Sequence, residues 1–303
     1  MKLLLTGSNG LLGQKIIDIV VQHPHITLIA TAKGVSRYSS TDKFIYEEAD
    51  LSNSEQLVAL FLKHQPDVVI HGGAMTQVDV CEDEREMCDK INVDAVKVLI
   101  ALCEAYEAHL IHVSTDFIFD GTKPDGYYAE NDTPNPVNYY GLSKLKAEEA
   151  IQKSSVKWTI IRTILLYGVV YGLSRSNIVL WVKNSLEQGK KITVVADQSR
   201  CPTLAEDLAA ACVSAAIKKA EGIYHVCGPE KMNMFELAHR VATFWKLDAS
   251  LISAINSETL NQRAKRPPQT AFDLTKTRHD LDYNPHSLEE GFAVLEEQLK
   301  AWG

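Results

Sequence analysis

The sequence predicts an α/β protein built on a doubly wound parallel sheet, with a smaller α/β lobe formed by its C-terminal part. Two observations carry this prediction. Short apolar, β-rich runs recur along the 303 residues with helical segments between them. The first of these runs leads directly into a glycine-rich turn followed by an amphipathic helix. With 46% hydrophobic residues, the chain can also bury a core of enzyme size.

Seven runs have the length and composition of buried strands. They are residues 3–6, 27–31, 44–46, 68–71, 110–114, 158–162 and 223–227. Right-handed crossovers between such strands place helices on both faces of the sheet and a ligand crevice at the strands' carboxyl ends. We therefore expect the functional residues just after the first, fourth and fifth strands.

The first strand is followed by Gly7, Gly10 and Gly13, in the spacing Gly-x2-Gly-x2-Gly, and then by a helix with an apolar face. A strand, a glycine turn and a helix in this order let the backbone approach a pyrophosphate at the positive end of the helix. The alternative is that the glycines merely turn the chain. We expect a Rossmann-type dinucleotide site, with Leu11 and Leu12 at the start of the helix among its contacts.

Tyr140 and Lys144 lie four residues apart, which places both on one face of a predicted helix. An ammonium beside a phenol is expected to lower its pKa towards neutrality, so that the tyrosine can exchange a proton with a substrate oxygen. The pair therefore indicates carbonyl or alcohol redox chemistry. Alone it is weak evidence, because a packed ring beside a solvated lysine has the same spacing. Neighbouring Tyr139 has no lysine one turn on and is expected to pack.

The loop after the second strand indicates which dinucleotide is bound. Sites specific for NAD usually carry an acidic residue there, which binds the ribose hydroxyls. No carboxylate occurs between Asp18 and Asp42, whereas Lys33 and Arg37 follow the strand and could attract a 2′-phosphate. We expect NADP(H) to be preferred, with NAD(H) possible. The alternative is an exposed basic loop without a ligand.

Residues 127–138 are rich in Pro, Asn and Asp and are expected to form an ordered loop that leads into the Tyr140 helix over the active site. Beyond Arg162 the alternation of strands and helices decays. We assign 1–162, with 203–227 returning to it, to the dinucleotide-binding domain. Residues 163–202 and 228–303 are assigned to the substrate-binding lobe.

With the glycine turn and the Tyr140 pair, several further runs make the chain resemble the extended short-chain dehydrogenase/reductase superfamily. Within it, the chain is most similar to the dTDP-4-dehydrorhamnose reductases, over nearly its whole length. The runs are Ala74-Met75-Thr76-Gln77-Val78-Asp79 with Glu82, residues 114–121 from Ser114-Thr115-Asp116 onwards, Asp197-Gln198 with Pro202-Thr203, and Arg266-Pro267.

The resemblance implies a role for each residue that matches a motif. Thr115 would hydrogen-bond the reacting oxygen, Tyr140 would move the proton, and Lys144 would hold the nicotinamide ribose and tune the tyrosine. The further cofactor contacts that it implies are Asp50, Leu51, Gly73, Ala74 and Met75, together with Tyr140 itself. The implied substrate contacts are Thr76, Val78, Thr115, Asp116 and Arg266. Arg266 could clamp a substrate phosphate, although the alternative of a solvated loop stays open.

The expected function is reduction by NADPH of the ketone of a nucleotide-linked 4-keto-6-deoxy sugar, with dTDP-4-dehydrorhamnose as the leading candidate. Phe117 and Leu165 stand where the rhamnose-forming enzymes commonly carry a tyrosine and a tryptophan. Phe117 also replaces the glutamate that dehydratases use after the aspartate, which argues against dehydration. An epimerase, or a non-catalytic subunit like the regulatory β subunit of methionine adenosyltransferase, remains an alternative.

Composition excludes several other classes of function. The net charge of −8 and the lack of a basic block argue against nucleic-acid binding. No apolar stretch approaches the length of a membrane span, and we expect a cytoplasmic protein, monomeric or homodimeric. The six cysteines show no regular framework and are expected to be reduced. Gln14 stands where some relatives carry a metal-binding glutamate, so no metal is predicted.

Overall fold

The computed structural model describes residues 1–172, 176–260 and 262–302. Its strands are β1 (Lys2–Thr6), β2 (Thr27–Ala32), β3 (Ile45–Glu48), β4 (Val68–His71), β5 (His109–Thr115), β6 (Tyr127–Tyr128), β7 (Trp158–Thr163), β8 (Leu166–Tyr167), β9 (Ile192–Val195), β10 (Ser199–Arg200), β11 (Thr203–Leu204), β12 (Gly222–Val226), β13 (Met232–Asn233), β14 (Ile252–Ile255) and β15 (Ala271–Phe272).

Its helices are α1 (Leu11–Val20), α2 (Ser54–His64), α3 (Val78–Asp83), α4 (Arg85–Asp89), α5 (Ala95–Ala105), α6 (Tyr139–Gln152), α7 (Ile178–Glu187), α8 (Ala205–Lys218), α9 (Met234–Phe244), α10 (Thr275–Leu281) and α11 (Leu288–Trp302). A π-helical turn, Lys90–Asp94, joins α4 to α5.

Seven strands form one parallel sheet in the order β12-β7-β5-β4-β1-β2-β3. Every run predicted as a strand contributes to it, with shifts of one or two residues at β3 and β12. The chain starts near the middle of the sheet, builds outward through β2 and β3, and then crosses back to β4. That reversal creates the crevice at the carboxyl ends of β1 and β4. The predicted doubly wound α/β fold is confirmed.

Alternation along β1 explains why helices cover both faces of the sheet. Leu3 and Leu5 pack with α1 and α8 on one face, whereas Leu4 packs with α2, α5 and α6 on the other. A further apolar cluster joins α7, α9, α11 and β9 in the C-terminal part of the chain. The division into two domains at the boundaries given above stays a prediction.

The loop that leads into α6 is more regular than expected, because Tyr127 and Tyr128 pair in parallel with Ala271 and Phe272. All six cysteines are free thiols and are buried. Within the described ranges, every helix is too short or too polar to cross a membrane.

Candidate active site

The glycine turn after β1 is folded so tightly that side chains would not fit at two of its positions. Gly7 has a φ of +73°, and a Cβ there would lie 2.7 Å from the backbone nitrogen of Gly73. A Cβ on Gly13 would overlap the carbonyl oxygen of Gly7. The turn therefore brings the ends of β1 and β4 into direct backbone contact and leaves the start of α1 open.

Two observations show that this turn fits a dinucleotide phosphate. The hydroxyl of Ser8 is buried and lacks a hydrogen-bond partner among the described residues. Helix α1 has Gly10 as its N-cap residue, without a side-chain cap, and no acidic residue in its first turn, so its first N–H groups can receive an anion. When bound, a nicotinamide dinucleotide would supply or accept a hydride.

The basic loop after β2 is held by carboxylates from the end of β3. Lys33 pairs with Asp50 at 2.8 Å, and this ammonium lowers the pKa of Asp50 to about 2. Glu48 accepts a hydrogen bond from the backbone N–H of Gly34 at 3.1 Å. Arg37 is tied to the crevice through its backbone N–H, which donates to the side-chain oxygen of Asn9 at 2.8 Å. Lys33 and Arg37 thus lie near the glycine turn, but Lys33 is already paired with a carboxylate, whereas the Arg37 guanidinium donates to the carbonyl oxygen of Gly172 at 3.3 Å.

The start of α6 is fixed against the end of β5 by two local features. Asn138 caps the helix by accepting a hydrogen bond from the N–H of Gly141 at 2.8 Å. A Cβ on Gly141 would overlap the carbonyl oxygen of Phe117, so only glycine permits this close packing. The packing brings the buried Tyr140 against the Thr115 hydroxyl.

The pKa values of Tyr140 and Lys144 differ from what their spacing in the sequence predicts. Burial raises the pKa of Tyr140 above its usual range, and the hydrogen bond with Thr115 offsets only part of this rise. Lys144 is buried too, and its ammonium contacts His112 Nε2 at 2.9 Å and donates to the carbonyl oxygen of Val113 at 2.7 Å. Burial lowers the pKa of Lys144 to about 8. The pKa of Tyr140 is therefore raised and not lowered as predicted, because desolvation dominates it and the Lys144 ammonium is bound to His112 and Val113.

Asp116, next to Thr115, is the centre of a buried polar group. Its carboxylate accepts hydrogen bonds from Thr270 at 2.5 Å and from Thr115 at 3.2 Å. Arg200 lies 3.5 Å away and donates to the carbonyl oxygen of Pro267 at 2.6 Å. Burial raises the pKa of Asp116, and the charge of Arg200 opposes that rise. The group ties the C-terminal segment to the end of β5.

Asn92 connects two predicted parts of the site and was not predicted. It lies in the π-helical turn, where its amide accepts from the N–H of Met75 at 2.8 Å and donates to the carbonyl oxygen of the same residue at 3.0 Å. It also donates to the Ser143 hydroxyl at 3.0 Å. The loop after β4 is thus joined to the α6 helix. The available signal was only that Asn92 lies between two apolar residues, Ile91 and Val93.

Arg200 was not predicted either, although it lies between Gln198 and Pro202 in a run that carried the family resemblance. Arg200 and its partner Asp116 are buried together but lie about 80 residues apart in the sequence. No local sequence pattern therefore indicates that they pair. Its only signal was that motif context.

The predicted substrate contacts are not all in one environment. Val78 packs with Tyr140 and Met75, whereas Thr76 is exposed. Arg266 binds both oxygens of Asp79, at 2.7 Å and 3.2 Å, and this arginine lowers the pKa of Asp79. The charge of Arg266 is therefore already paired, which reduces what it could offer a phosphate.

The predicted cofactor contacts at the end of β4 lie close to the glycine turn. A Cβ on Gly73 would overlap the side chain of Leu51 and would lie 3.5 Å from the Thr6 hydroxyl. Leu11 borders the turn on its other side, 3.2 Å from the position of a Cβ on Gly168. Ala74 follows in the same loop and is half-buried.

Three other positions behave as follows. Tyr139 donates from its hydroxyl to Asp89 at 2.9 Å and is only half-buried. Gln14 is buried and donates to the carbonyl oxygen of Tyr171 at 2.9 Å, so its amide joins backbone segments. Leu165 adopts a φ of +39° between β7 and β8, which is strained for a branched side chain.

Across the described residues, no group of three His, Cys, Asp or Glu side chains could hold a metal ion.

Comparison with known proteins gives one family over nearly the whole chain. The RmlD substrate binding domain family matches residues 1–300. The probable low-salt glycan biosynthesis reductase Agl14 of Haloferax volcanii is 29% identical over 296 residues, which is 96% of each chain. Methionine adenosyltransferase 2 subunit beta of Bos taurus is 30% identical over 280 residues, covering 91% of this chain and 81% of that protein.

A solved structure extends the comparison to the fold. The dTDP-4-dehydrorhamnose reductase of Bacillus anthracis, determined in complex with NADP, superposes with a TM-score of 0.83 at 25% identity. The match covers 98% of this chain and 99% of that chain.

Proposed function

Because the chain belongs to the RmlD substrate binding domain family, we propose that it reduces the ketone of a nucleotide-linked 4-keto-6-deoxy sugar, dTDP-4-dehydrorhamnose, with NADPH as the hydride donor. The observation that carries the proposal is the meeting of Thr115, Tyr140 and Lys144 at the carboxyl edge of the sheet, beside a glycine turn that fits a phosphate. The related reductase from Bacillus anthracis binds NADP, which supports the choice of cofactor.

The electrostatics of Tyr140 suit reduction rather than oxidation. A raised pKa keeps the phenol protonated across the neutral range, which is the form that must donate a proton. As a ketone oxygen gains charge, Tyr140 donates a hydrogen bond to it, and Thr115 turns its single hydroxyl hydrogen from Asp116 towards it. Tyr140 then transfers its proton to the alkoxide. An alkoxide is a far stronger base than a phenolate, so this transfer is favourable despite the raised pKa.

Lys144 has two roles in this proposal. Its ammonium would bind a ribose hydroxyl of the cofactor, and its charge would stabilise the phenolate that remains on Tyr140. Asp116 and Arg200 do not touch the reacting oxygen in this scheme. They hold Thr115 in place through the carboxylate of Asp116.

The test offers the purified protein a panel of nucleotide-linked 4-keto-6-deoxy sugars with NADPH. Oxidation of NADPH is monitored as the loss of its absorbance. We expect turnover of dTDP-4-dehydrorhamnose and product with the mass of a dTDP-6-deoxyhexose, with the rate lowered by about two to four orders of magnitude in the Tyr140→Phe variant. The panel should vary the sugar and the base separately, because Phe117 and Leu165 differ from the residues usual in rhamnose-forming enzymes.

A regulatory role is the second candidate, since the β subunit of a methionine adenosyltransferase is 30% identical over 91% of this chain. If the protein binds NADPH but reduces no sugar of the panel, the reductase proposal fails and the regulatory role gains. Retention of NAD through purification, with interconversion of nucleotide sugars, would instead indicate an epimerase.

A further inference from the structure

A buried histidine lies directly behind Lys144. His112, on β5, is fully buried, and its Nε2 is 2.9 Å from the lysine ammonium. The carbonyl oxygen of Val113, the next residue on the strand, accepts from the same ammonium at 2.7 Å. An ammonium has three N–H donors. Two are therefore engaged by consecutive residues of β5, and one is left for the crevice.

This contact fixes the protonation pattern of the imidazole. A lysine ammonium only donates, so Nε2 of His112 must accept, and the hydrogen of the neutral ring must be on Nδ1. Burial and the nearby charge of Lys144 hold the pKa of His112 well below its usual range, which keeps the ring neutral. The Nδ1 atom has no hydrogen-bond partner among the described residues, so the contact with Lys144 is the polar contact that the ring makes.

A second buried histidine, His71, packs against the ring of His112 and limits its movement. His71 is opposite His112 in the pairing of β4 with β5, and the two rings stack with centroids 5.3 Å apart and planes inclined by 24°. His71 is held in turn by the Thr6 hydroxyl, 2.7 Å from its Nδ1. A polar row therefore crosses three neighbouring strands beneath the crevice, from Thr6 on β1 to Lys144 on α6.

We propose that His112 is a positioning residue for Lys144, whose neutral Nε2 holds the ammonium in one orientation beneath the cofactor. The proposal deepens the proposed function and rests on it for the role of Lys144. Without this acceptor, the ammonium would keep only the Val113 carbonyl oxygen. It would then lose both its fixed direction and part of the stabilisation of its charge.

The charge state of Lys144 depends on few other groups. The titratable groups that face it from the packed elements are Glu148 and Tyr140 on its own helix, Cys88 on α4, His112 on β5 and His71 on β4. Glu148 favours the ammonium but is itself paired with Arg162 at 2.7 Å. Removal of the His112 acceptor should therefore lower the pKa of Lys144.

The first experiment measures the ring itself and needs neither cofactor nor sugar. The protein is labelled with ¹⁵N in the histidine rings, and the His112 signals are assigned by comparison with His112→Gln. We expect a neutral ring near neutral pH with its proton on Nδ1. A ring protonated on Nε2, or one carrying both protons, overturns the proposal.

The second experiment separates the acceptor from the shape of the side chain. In His112→Gln the amide oxygen reaches about as far as Nε2, in His112→Asn it reaches only as far as Nδ1, and His112→Leu has no acceptor. The matched control is His109→Leu, which removes another buried histidine of β5 that binds Thr159 at 2.9 Å instead of Lys144. NADPH affinity is measured by fluorescence titration across pH.

We expect His112→Asn and His112→Leu to bind NADPH about tenfold or more weakly, since a charge-assisted hydrogen bond is lost, and to lose affinity at lower pH than the unmutated protein. His112→Gln should stay within about threefold, and His109→Leu should match the unmutated protein. If His112→Leu does not fold, His112→Asn carries the test.

Equal losses in His112→Gln and His112→Asn, or an unchanged pH dependence in both, would show that the ring acts through packing alone and would overturn the proposal. The reductase proposal is tested independently of this one. Should the unmutated protein bind NADPH but reduce no sugar, the ring protonation and the binding series still decide the role of His112.

Discussion

Tyr140 shows how one buried hydroxyl can be matched to one direction of a reaction. Its burial disfavours the phenolate, so the group stays protonated near neutral pH and can give its proton only to a stronger base such as an alkoxide. Thr115 is already engaged with Asp116 and the backbone N–H of Phe117, and this fixes the hydroxyl where it meets the phenol. At the scale of single residues, the site is therefore prepared to donate a proton.

The first prediction removes that proton. Tyr140→Phe should lower kcat by about two to four orders of magnitude, because the ring remains but the donor is lost. NADPH affinity should change little, which is measured by titration under the same conditions. Turnover close to that of the unmutated protein would exclude Tyr140 as the proton donor.

The second prediction concerns pH. Burial lowers the pKa of Lys144 to about 8, so its ammonium form is present below this value and is lost as the pH rises through it. We expect NADPH affinity and kcat to fall over this interval, whereas Tyr140, with its raised pKa, stays protonated there. The measurement is a pH profile of both quantities, and in Lys144→Met the alkaline fall should disappear. A flat profile for the unmutated protein would mean that Lys144 keeps its proton when the cofactor binds.

At the scale of elements, the third prediction addresses how α6 is seated on the end of β5. Gly141→Ala would place a methyl group against the carbonyl oxygen of Phe117, so helix and strand must separate. Overpacking of this kind costs about 1 to 3 kcal/mol, and the loss of contact between Tyr140 and Thr115 should lower kcat further. Leu142→Ala, at an exposed position of the same helix, is the control. Denaturant unfolding and kcat are measured on both, and full activity in Gly141→Ala would show that α6 can shift freely.

The fourth prediction concerns the loop after β2. Replacing both Lys33 and Arg37 with alanine should weaken NADPH binding while sparing NADH, since each phosphate contact is worth roughly 1.5 to 3 kcal/mol. The pairing of Lys33 with Asp50 places its effect at the lower end. Lys63→Ala removes an exposed lysine paired with Glu47 and serves as the control. NADH binding as tight as NADPH binding in the unmutated protein would refute the preference.

At the scale of the whole molecule, the fifth prediction concerns a buried ion pair that joins β7 to the catalytic helix. Arg162 donates to both oxygens of Glu148, with contacts of 2.7 Å and 3.1 Å, and both side chains are buried. Arg162→Met would leave the carboxylate unpaired in the core, which costs about 3 to 5 kcal/mol. Lys153→Met, at an exposed pair with Glu149, should change stability little. Denaturant titrations give both free energies of unfolding from the midpoint and the slope, and equal values for the two variants would mean that water reaches Glu148.

The sheet could be predicted because the patterns that indicate it lie within short runs of the sequence. Apolar runs of strand length and the glycine turn were sufficient for the seven strands and their helices. The spacing of Tyr140 and Lys144 also identified the helix face that meets the crevice. Asn92, Arg200 and His112 act through partners far away in the sequence, so no local pattern marks them. His112 in particular lies within an apolar strand run, where nothing in the sequence distinguishes it from any other buried histidine.

The sign of the Tyr140 shift could not be predicted from spacing either. Two side chains four residues apart define a direction on a helix, but not how deeply that face is buried. Desolvation depends on the elements that close over the helix, here the β5 strand and the α3 and α4 segments around Cys81 and Cys88. Burial is a property of the assembled fold, and it decided the result.

Because all six cysteines are buried, the folded protein should not react with thiol reagents, and this can be used in experiments. A thiol reagent should modify the chain only when it opens, so the rate of modification reports transient unfolding without an added probe. A single cysteine introduced on the surface would then be the one reactive thiol of the native protein. A dye could be attached there without changing the natural cysteines, for example at exposed Val35 in the loop after β2, to follow cofactor binding by its fluorescence.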